Sequence, residues 1–522
     1  MNGMTQMMTS SAPSASNDPQ AEVIAYLEAP GTLCPDDELR RIDTHAARIF
    51  LAGDRAWKLK RSVRFGYLDF SSPEKRRLAL ETELLLNRRT APSLYLAVRP
   101  IRRNGDGILS FCDDGEPIDW LLEMRRFPDD ALLEQVAARG ALTEPLVLRL
   151  ADKIKSFHDS AEQVRSSLGR AGIEAVIAGN QESMDAFPEI LRSDSVGSLI
   201  RRQRALAERH ARLLDTRAAA GRVRHGHGDL HLANIAIIND EPVLFDCLEF
   251  SAALATIDVL YDLAFLLMDL WRKGYRVQAN MLFNRYLDVS PEDEEAVALI
   301  PLFLSIRATV RAHVTAAQAN GDPSNALRKK AEQYLSLAHE LLAPIPNRLV
   351  AIGGLSGTGK STIARLVAHG VGSAPGARVL RSDVLRKRLA GLPPETPLSK
   401  DAYSTSASAT VYAELERLAQ LAVNEGRSLI VDAVYARPDE RRAIAQVAAH
   451  KDVPFAGIWL DAAPEVLRAR IAARVVDASD ADVAVADLQA HYDLGAMDWQ
   501  RISAESDRGV IVDRVRSALA VA

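Results

Sequence analysis

The stretch HGHGDLHLANIAIINDEPVLFDCLEF, residues 225–250, determines how the rest of the chain is interpreted. It carries Asp229 and Asn234 in a short turn flanked by apolar residues, followed by a strand that ends at Asp246. Three oxygen-bearing side chains at the ends of two adjacent β-strands can handle a phosphate and a hard metal ion together. The stretch is therefore a candidate phosphotransfer centre.

The length and composition of the chain limit the class of protein that could contain this centre. A length of 522 residues is too great for one core and predicts roughly two to four domains. Hydrophobic residues make up 48% and charged residues 25%, as in a globular protein, and no run reaches the roughly 18 consecutive apolar residues of a membrane span. The net charge of -5 argues against bulk electrostatic binding to nucleic acid.

The cysteines and the first residues indicate a cellular location. Cys34, Cys112 and Cys247 are widely spaced and offer neither a disulfide framework nor a zinc pattern, so we expect a reducing cytoplasm. Residues 1–20 lack the basic and apolar regions of a signal peptide, and we interpret them as a disordered tail.

The alternating residues His225, His227, Asp229 and His231 raise an alternative, a metal hydrolase with an HxHxD cluster. Leu230 interrupts the Asp-His neighbour pair that such a cluster would contain, and the remaining histidines are scattered. Phosphotransfer is therefore the preferred interpretation.

The segment RIFLAGDRAWKLKRSV, residues 48–63, predicts a hairpin whose second strand carries Lys58 and Lys60 on one face. The next segment predicts a helix with Glu81 and Glu83. A strand lysine paired with Glu83 or Glu81 could hold nucleotide phosphates. The alternative is a surface lysine beside a solvated helix charge.

Three segments in the first part of the chain together resemble a known family. HGDLHLAN, then LFDCLEF and DVLYDLA, closely resembles the aminoglycoside phosphotransferase-like family, which has the two-lobed protein-kinase-like fold, and the resemblance covers roughly residues 25–340. It implies ATP and Mg²⁺ as cofactors and these roles: Asp229 as catalytic base, Asn234 and Asp246 as Mg²⁺ ligands, Lys58 as the phosphate-binding lysine with Lys60 as the alternative, Glu83 as its helix partner, and His227, His231 and Asp262 as supports of the loop. The sequence departs from a kinase pattern in having no GxGxxG before Lys58.

A second centre is more specific than the first. NRLVAIGGLSGTGKSTIARLVA satisfies GxxxxGK[ST] between an apolar strand and a helix. The loop glycines let backbone N-H groups cradle phosphate, Lys360 reaches the β and γ phosphates, and Ser361 binds Mg²⁺. The predicted nucleotide-binding residues are Gly354, Gly357, Thr358, Gly359, Lys360, Ser361 and Thr362.

Further candidate residues follow the P-loop. Asp383 lies at the end of a second strand with Arg386 one turn on, and Asp432 ends a third, very apolar strand. Alternating strands and helices predict a parallel sheet with sites at its carboxyl edge. Arg470 and Arg474 share one face of a later helix and could close over the nucleotide, although a solvated basic face is the alternative.

The C-terminal part resembles the small P-loop kinases of AAA type that phosphorylate hydroxyl groups, including gluconate, chloramphenicol and polynucleotide 5′-hydroxyl kinases. The resemblance rests on the DxxR of Asp383 and Arg386 and on the run VDAVYARPDERR. It implies that Asp383 is the general base, Arg386 a substrate contact and Asp432 a Mg²⁺ partner, while Arg470 and Arg474 are lid residues.

Together these observations predict an α+β and an α/β part in one chain. After the tail we expect a kinase-like domain at 21–343, with a small lobe at about 21–122 and a helical large lobe at about 123–343, then a linker at 344–348 and a P-loop kinase domain with a helix-flanked parallel sheet at 349–522.

The resulting functional prediction is a cytoplasmic, bifunctional ATP-dependent kinase that acts on hydroxyl groups of small molecules. Neither nucleic acid nor a membrane is an expected partner, and the oligomeric state is left open. Two alternatives are one active kinase regulated by the other domain as an ATP-binding module, and a polynucleotide or tRNA end kinase.

Overall fold

The computed structural model describes residues 18–33, 39–44, 46–65, 68–164, 169–319, 325–473 and 478–521. These residues form two compact units. Unit 1 comprises the described residues of 1–143, 157–165 and 221–262, and unit 2 those of 144–156, 166–220 and 263–522. The sequence-based boundaries at 21, 344 and 349 stay predictions. Of the tail predicted for residues 1–20, residues 1–17 lie outside the described residues.

The regular elements alternate between strand-rich and helix-rich stretches. The strands are β1 (Arg40–Asp43), β2 (Ala47–Ala52), β3 (Arg55–Lys60), β4 (Arg64–Phe65), β5 (Leu68–Asp69), β6 (Tyr95–Arg103), β7 (Leu109–Ser110), β8 (Glu116–Arg125), β9 (Val223–His225), β10 (Ile235–Ile238), β11 (Glu241–Leu244), β12 (Thr256–Asp258), β13 (Leu349–Gly353), β14 (Arg378–Arg381), β15 (Leu429–Asp432), β16 (Phe455–Asp461) and β17 (Gln500–Ser503). The α-helices are α1 (Ala21–Glu28), α2 (Pro73–Arg88), α3 (Leu133–Ala138), α4 (Glu144–Ser160), α5 (Gly169–Asp185), α6 (Ser193–Arg209), α7 (Ala211–Ala219), α8 (Ala252–Ala255), α9 (Val259–Arg272), α10 (Arg276–Val289), α11 (Ile300–Ala319), α12 (Ala326–Glu340), α13 (Lys360–Ala368), α14 (Ser382–Leu389), α15 (Thr405–Asn424), α16 (Pro438–Ala449), α17 (Pro464–Ala472), α18 (Val483–Gln489) and α19 (Arg508–Val521). Short 3₁₀ helices lie at Asp129–Ala131, Leu232–Asn234, Pro291–Leu299 and Lys400–Tyr403.

Unit 1 is built on an antiparallel six-stranded sheet of order β1-β2-β3-β8-β6-β7. The predicted hairpin is confirmed: β2 and β3 pair in register and turn at Gly53, whose φ of 55° suits glycine. Helix α2 begins as the sequence predicts, because the Ser72 side chain accepts from the Lys75 N-H and Pro73 occupies the first turn. Its buried Leu80 packs with Leu122 of β8, so α2 is held against the sheet.

A second hairpin places the strand ends of the 225–250 stretch side by side. Strands β10 and β11 pair antiparallel, with Ile235 opposite Leu244. Their turn residues Asn239 and Asp240 both have positive φ, as a tight hairpin turn requires. The residue before β10 and the residues after β11 therefore meet, which the spacing in the sequence predicts.

Unit 2 contains the predicted parallel sheet, with strand order β14-β15-β13-β16-β17 and all neighbours parallel. One face packs against α13 and α19 and the other against α15 and α16, each through a buried apolar cluster. Strands buried on both faces explain why the sequence of β13 and β15 is continuously apolar. The carboxyl ends of β13, β14 and β15 adjoin at one edge.

Helix α10 covers the outer edge of this sheet within unit 2. Asn284 Oδ1 accepts from the Val379 N-H of edge strand β14 at 2.7 Å, and Asn280 Nδ2 donates to Ala377 O at 3.0 Å. The Arg378 guanidinium is buried and donates to both carboxylate oxygens of Glu294, at 2.8 and 3.0 Å. The helical segment therefore satisfies edge groups that would otherwise be open to pairing.

One described segment, Pro291–Ala319, is long and apolar enough to cross a membrane by length and composition. Inside the protein 72% of its most apolar window is buried. This burial is that of a helix in a protein core.

Candidate active sites

The first candidate site lies in unit 1, where Lys58 of β3 meets Glu83 of α2. Lys58 Nζ donates to Glu83 Oε1 at 2.6 Å, and the Glu83 side chain is fully buried. Burial raises the pKa of this carboxyl, but the two neighbouring lysines outweigh burial and lower the pKa to about 2. The strand lysine thus pairs with Glu83, whereas Glu81 pairs with Arg77 at 2.6 Å on the exposed side of α2.

Lys60 shares Glu83 but occupies a different environment. Its Nζ lies 2.6 Å from Glu83 Oε2 and 2.5 Å from Glu249 Oε1. The Lys60 side chain is 2% exposed, against 13% for Lys58, and its ammonium lies over the Phe70 ring at 5.2 Å. This geometry favours Lys58 as the phosphate-binding lysine and makes Lys60 a buried counter-ion.

Asp246, the predicted metal ligand after β11, is held in an uncommon backbone conformation. Its φ is 62°, in the left-handed region that non-glycine residues rarely adopt, and its N-H donates to the Tyr95 hydroxyl at 3.1 Å. Its Oδ1 accepts from Lys58 Nζ at 3.0 Å. The turn therefore aims the Asp246 carboxylate at the lysine that would hold the nucleotide phosphates.

Asp229 and Asn234 also come together. Asn234 Nδ2 donates to Asp229 O at 3.0 Å and to Asp229 Oδ2 at 2.9 Å. His231 Nε2 lies 3.4 Å from the same carboxylate oxygen, while His231 Nδ1 accepts from the Ala233 N-H. The Asn234 amide nitrogen makes these hydrogen bonds, which leaves the amide oxygen as the atom that could act as a metal ligand. Mg²⁺ prefers oxygen ligands of the kind that Asn234 and Asp246 offer.

The loop that carries Asp229 is supported from α9, as the resemblance implies. Asp262 accepts from the backbone N-H groups of His227 and Gly228, at 2.7 and 3.1 Å. His227 Nε2 donates to Phe245 O at 3.0 Å, which ties the loop to the end of β11. Burial lowers the pKa of His227, but Cys247 and the carboxylates of Asp262 and Asp229 outweigh burial and raise the pKa to about 9.

The alternating histidines do not build a metal centre in the described part of the chain. Among those residues no three His, Cys, Asp or Glu side chains are grouped closely enough to hold a metal ion. His227 and His231 form the loop contacts given above.

The second candidate site lies in unit 2, at the carboxyl edge of the parallel sheet. The loop between β13 and α13 has three glycines with positive φ: Gly354, Gly357 and Gly359, at 145°, 89° and 87°. A Cβ on Gly354 would lie 2.5 Å from Leu460 O, and one on Gly357 would lie 2.9 Å from Leu467 O. Only glycine fits these two positions, so the loop keeps the shape in which backbone N-H groups can bind phosphate.

The polar side chains of the P-loop meet strand β15. Ser361 Oγ donates to Asp432 Oδ2 at 2.5 Å, and Arg381 Nε lies 3.6 Å from the same oxygen. Lys360 Nζ donates to Leu355 O at 3.1 Å. A serine hydroxyl beside a carboxylate is a pair of hard oxygen ligands of the kind that Mg²⁺ prefers. The assignment of Ser361 and Asp432 as Mg²⁺ ligands stays a prediction.

Asp383 and Arg386 lie in the first turns of α14, one turn apart. Burial raises the pKa of the Asp383 carboxyl, and Asp432 adds to the rise, while Arg381 and Lys360 oppose it. Arg386 donates to Ala402 O at 2.6 Å and stacks on the Tyr403 ring at 4.6 Å.

A single cavity of 2060 Å³ joins most of these residues. Pockets for one small ligand are about 300–1,000 Å³, so the cavity has room for a nucleotide and a second substrate. Gly354 is not among the lining residues, and Arg474 lies outside the described residues. The predicted residues that line the cavity are Gly357, Thr358, Gly359, Lys360, Ser361, Thr362, Asp383, Arg386, Asp432 and Arg470.

Arg470 of α17 lines this cavity, and its role as a lid residue stays a prediction. Its Nη2 donates to Ala504 O at 2.8 Å, after β17. The guanidinium is therefore anchored to the sheet edge in this structure.

Several contacts at the two sites have no signature in the sequence. Tyr95, whose hydroxyl accepts from the Asp246 N-H, lies 151 positions before Asp246 in the chain. Asp480 accepts from Lys387 Nζ at 3.0 Å and from Tyr403 OH at 2.7 Å. Gln489 Oε1 accepts from the Ser356 N-H of the P-loop at 2.8 Å. Each joins elements far apart in sequence, so no local spacing could reveal it.

Comparison with known protein families matches both parts of the chain. A family model described as "Phosphotransferase enzyme family" matches residues 125–300, and one described as "AAA domain" matches residues 349–493. Uncharacterized proteins of Mycobacterium tuberculosis and Mycobacterium bovis are each 31% identical over 466 residues, covering 87% of this chain and 90% of the relative.

Solved structures with some similarity to this chain each cover part of it. A choline/ethanolamine kinase family protein from Mesorhizobium loti covers 62% of this chain and 94% of its own, at 14% identity and a TM-score of 0.38. A gluconokinase from Sinorhizobium meliloti covers 34% of this chain and 94% of its own, at 21% identity and a TM-score of 0.25.

Proposed function

Because this chain belongs to the same family as its mycobacterial relatives and joins a phosphotransferase domain to a P-loop kinase-like domain, we propose that it is a bifunctional ATP-dependent kinase. Each domain transfers the γ-phosphoryl group of ATP to a hydroxyl group of a small molecule. The family matches identify the protein as a phosphotransferase, and the two active sites and the alcohol acceptors are the proposal.

One observation supports this proposal most: in each unit, residues with the chemistry that phosphoryl transfer would use lie close together. In unit 1, Lys58 forms ion pairs with both Glu83 and Asp246, and Asn234 donates a hydrogen bond to the Asp229 carboxylate. Unit 2 gathers the P-loop, Asp383 and Asp432 around one cavity. A domain that served only to sense ATP would not need a candidate base in addition to its nucleotide-binding residues.

At the first site, we propose that a carboxylate oxygen of Asp229 accepts the proton of the acceptor hydroxyl. Asn234 orients that carboxylate by its hydrogen bond, and Lys58, fixed by Glu83, neutralises phosphate charge. Asn234 and Asp246 would hold Mg²⁺, which supplies charge neutralisation on the ATP phosphates when bound.

At the second site, Asp383 accepts the proton of the acceptor hydroxyl and Arg386 contacts the acceptor. The raised pKa of Asp383 suits a general base, since the ideal pKa lies near the working pH. Backbone N-H groups of the glycine-rich loop and Lys360 bind phosphates, and Arg470, in the wall of the cavity, stabilises charge on the phosphoryl group. Ser361 and Asp432 would hold Mg²⁺ here.

The proposed acceptors are small hydroxylated molecules in the cytoplasm rather than nucleic acid or membrane lipid. The net charge of -5 supports this choice, since a polynucleotide needs an extended basic surface. At the second site, the cavity of 2060 Å³ also supports a small acceptor.

Two substitutions separate the activities. We expect Asp229→Ala to abolish one phosphorylation and Lys360→Ala another, measured as ATP turnover over a panel of sugars, nucleosides, aminoglycosides and 5′-hydroxyl oligonucleotides. Glu81→Gln and Arg417→Ala, at exposed ion pairs away from the sites, are the matched controls. An unchanged turnover in the Asp229→Ala variant on every acceptor would remove the first site from the proposal, and activity on oligonucleotides alone would favour an end kinase.

A further inference from the structure

The cavity of the P-loop site is lined partly by a helix that lies outside the P-loop sequence family. Glu144 and Leu148, in the first turns of α4, are among its lining residues. Glu144 also pairs with Arg365 of α13, the helix that follows the P-loop, at 3.1 Å. All of these residues belong to unit 2, so the wall of the cavity is a feature of one compact body.

A second link runs from the helices to the loop between α14 and α15, residues 390–404. Arg285 of α10 donates to both carboxylate oxygens of Asp152 on α4, at 2.7 and 2.9 Å. The same guanidinium donates to Glu395 of the 390–404 loop at 2.5 and 3.4 Å. The Arg285 side chain is 12% exposed, so its charge is largely removed from water and relies on these two carboxylates.

The 390–404 loop forms the side of the cavity next to the predicted acceptor contact. Glu395, Leu398 and Tyr403 line the cavity, and the Tyr403 ring stacks on Arg386 at 4.6 Å. Asp480 holds the far end of the loop, accepting from the Leu398 N-H at 3.0 Å and from Tyr403 OH at 2.7 Å. The near end is held by Arg285 through Glu395.

We propose that Arg285 is a positioning residue of the P-loop kinase site: by clamping Glu395 it sets the 390–404 loop, and with it Tyr403 and Arg386, in place for the acceptor. The inference rests on the proposed function of the second site. It gives the helical segment before the P-loop domain a role in that second reaction, in addition to its place in the phosphotransferase family. An arginine fork on two carboxylates suits this role because its geometry is fixed.

Loss of this clamp should affect binding of the acceptor and not binding of ATP. ATP binds through the P-loop, which the clamp does not touch, whereas the acceptor needs the loop in one conformation. Loss of the clamp should therefore raise the KM for the acceptor and leave nucleotide affinity unchanged.

The test uses the full chain with the first site silenced by Asp229→Ala. The variants are Glu395→Gln, Arg285→Ala and the conservative Arg285→Lys, with Arg417→Ala as the matched surface control. Hydrogen-deuterium exchange of peptides within 390–404 reports the loop without an acceptor, and calorimetry with Mg²⁺ and a non-hydrolysable ATP analogue reports nucleotide binding. The acceptor that the panel assigns to the second site is used for KM and kcat.

We expect exchange in the 390–404 loop to rise about tenfold in Glu395→Gln and Arg285→Ala, with a smaller rise in Arg285→Lys and none in Arg417→Ala. The acceptor KM rises by a similar factor, while affinity for the ATP analogue stays within about twofold. If Arg285→Ala does not fold, Glu395→Gln decides, since Glu395 is 44% exposed and its loss leaves the pair of Arg285 with Asp152 intact.

Unchanged loop exchange in both Glu395→Gln and Arg285→Ala would overturn the inference while leaving the second site as proposed. An equal loss of nucleotide affinity would also overturn it, because the clamp would then act on the whole domain. Failure of the proposed function has a different signature, which is full turnover after Lys360→Ala.

Discussion

The Glu83 carboxylate offers the sharpest quantitative test of the first site. Glu83→Gln keeps the size of the side chain but removes the charge that two lysines share, each 2.6 Å away. The pKa falls from 4.5 to about 2 in the folded protein, and at about 1.4 kcal/mol for each pH unit this corresponds to about 3 kcal/mol. Breaking a buried pair by removing one partner costs about 3–5 kcal/mol, so the two routes agree.

The stabilisation that the Glu83 carboxylate gives to the folded protein depends on pH. Because the folded pKa lies below the unfolded value of 4.5, the stabilisation is fully present above pH 4.5 and is lost as the pH falls through about 2. Glutamine does not titrate. The gap in stability between the wild type and Glu83→Gln should therefore be widest at neutral pH and narrow below pH 4.5.

Native-state hydrogen exchange of peptides from α2 and β3 measures this gap locally, which avoids assuming one unfolding step for a chain with two units. We expect an opening free energy lower by about 3 kcal/mol at pH 7 in Glu83→Gln. The control, Glu81→Gln, removes an exposed pair with Arg77 and should cost less than about 1 kcal/mol. Equal losses in the two variants, or a gap that does not narrow in acid, would refute the reasoning.

Three further predictions address single groups. Lys58→Met should abolish phosphorylation at the first site, whereas Lys60→Met should chiefly lower the stability of unit 1. Initial rates measure the first effect and thermal melting the second. Loss of activity only in Lys60→Met would reverse the assignment of the two lysines. Gly357→Ala should weaken binding of an ATP analogue by at least about tenfold, because its Cβ would meet Leu467 O at 2.9 Å, and calorimetry with unchanged affinity would contradict this. At the second site, kcat/KM should fall as the pH drops through the pKa of Asp383, because the base must be deprotonated, and this pKa lies above the ordinary aspartate value of 3.8. A pH profile that stays flat down to 3.8 would argue against Asp383 as the base.

The sequence predicts the chemistry-bearing elements well because their signals are local. Strand-loop-helix flanks surround the glycines before Lys360, and the structure has β13 and α13 there. The turn at Gly53 and the start of α2 at Ser72 also follow from local backbone chemistry. Asp229 and Asn234 are five positions apart in one turn, as the sequence places them, and the structure joins them by a hydrogen bond.

The remaining features depend on distant parts of the chain. The choice between Lys58 and Lys60 rests on burial, which alternation along one strand cannot distinguish, because both lysines share a face. Arg285 reaches Glu395 across 110 positions, and no periodicity marks such a pair. Side chains that connect elements in this way become visible only once the fold brings them together.

Labelled ATP gives the most direct test of whether this chain holds two independent phosphotransfer sites. A metabolite extract is incubated with γ-labelled ATP and with wild type, Asp229→Ala or Lys360→Ala, and the labelled products are identified by mass spectrometry. With two independent sites, each variant loses a different phosphorylated product that the other variant still forms. Loss of the same products in both variants, or a full set of products in either one, would contradict two independent sites.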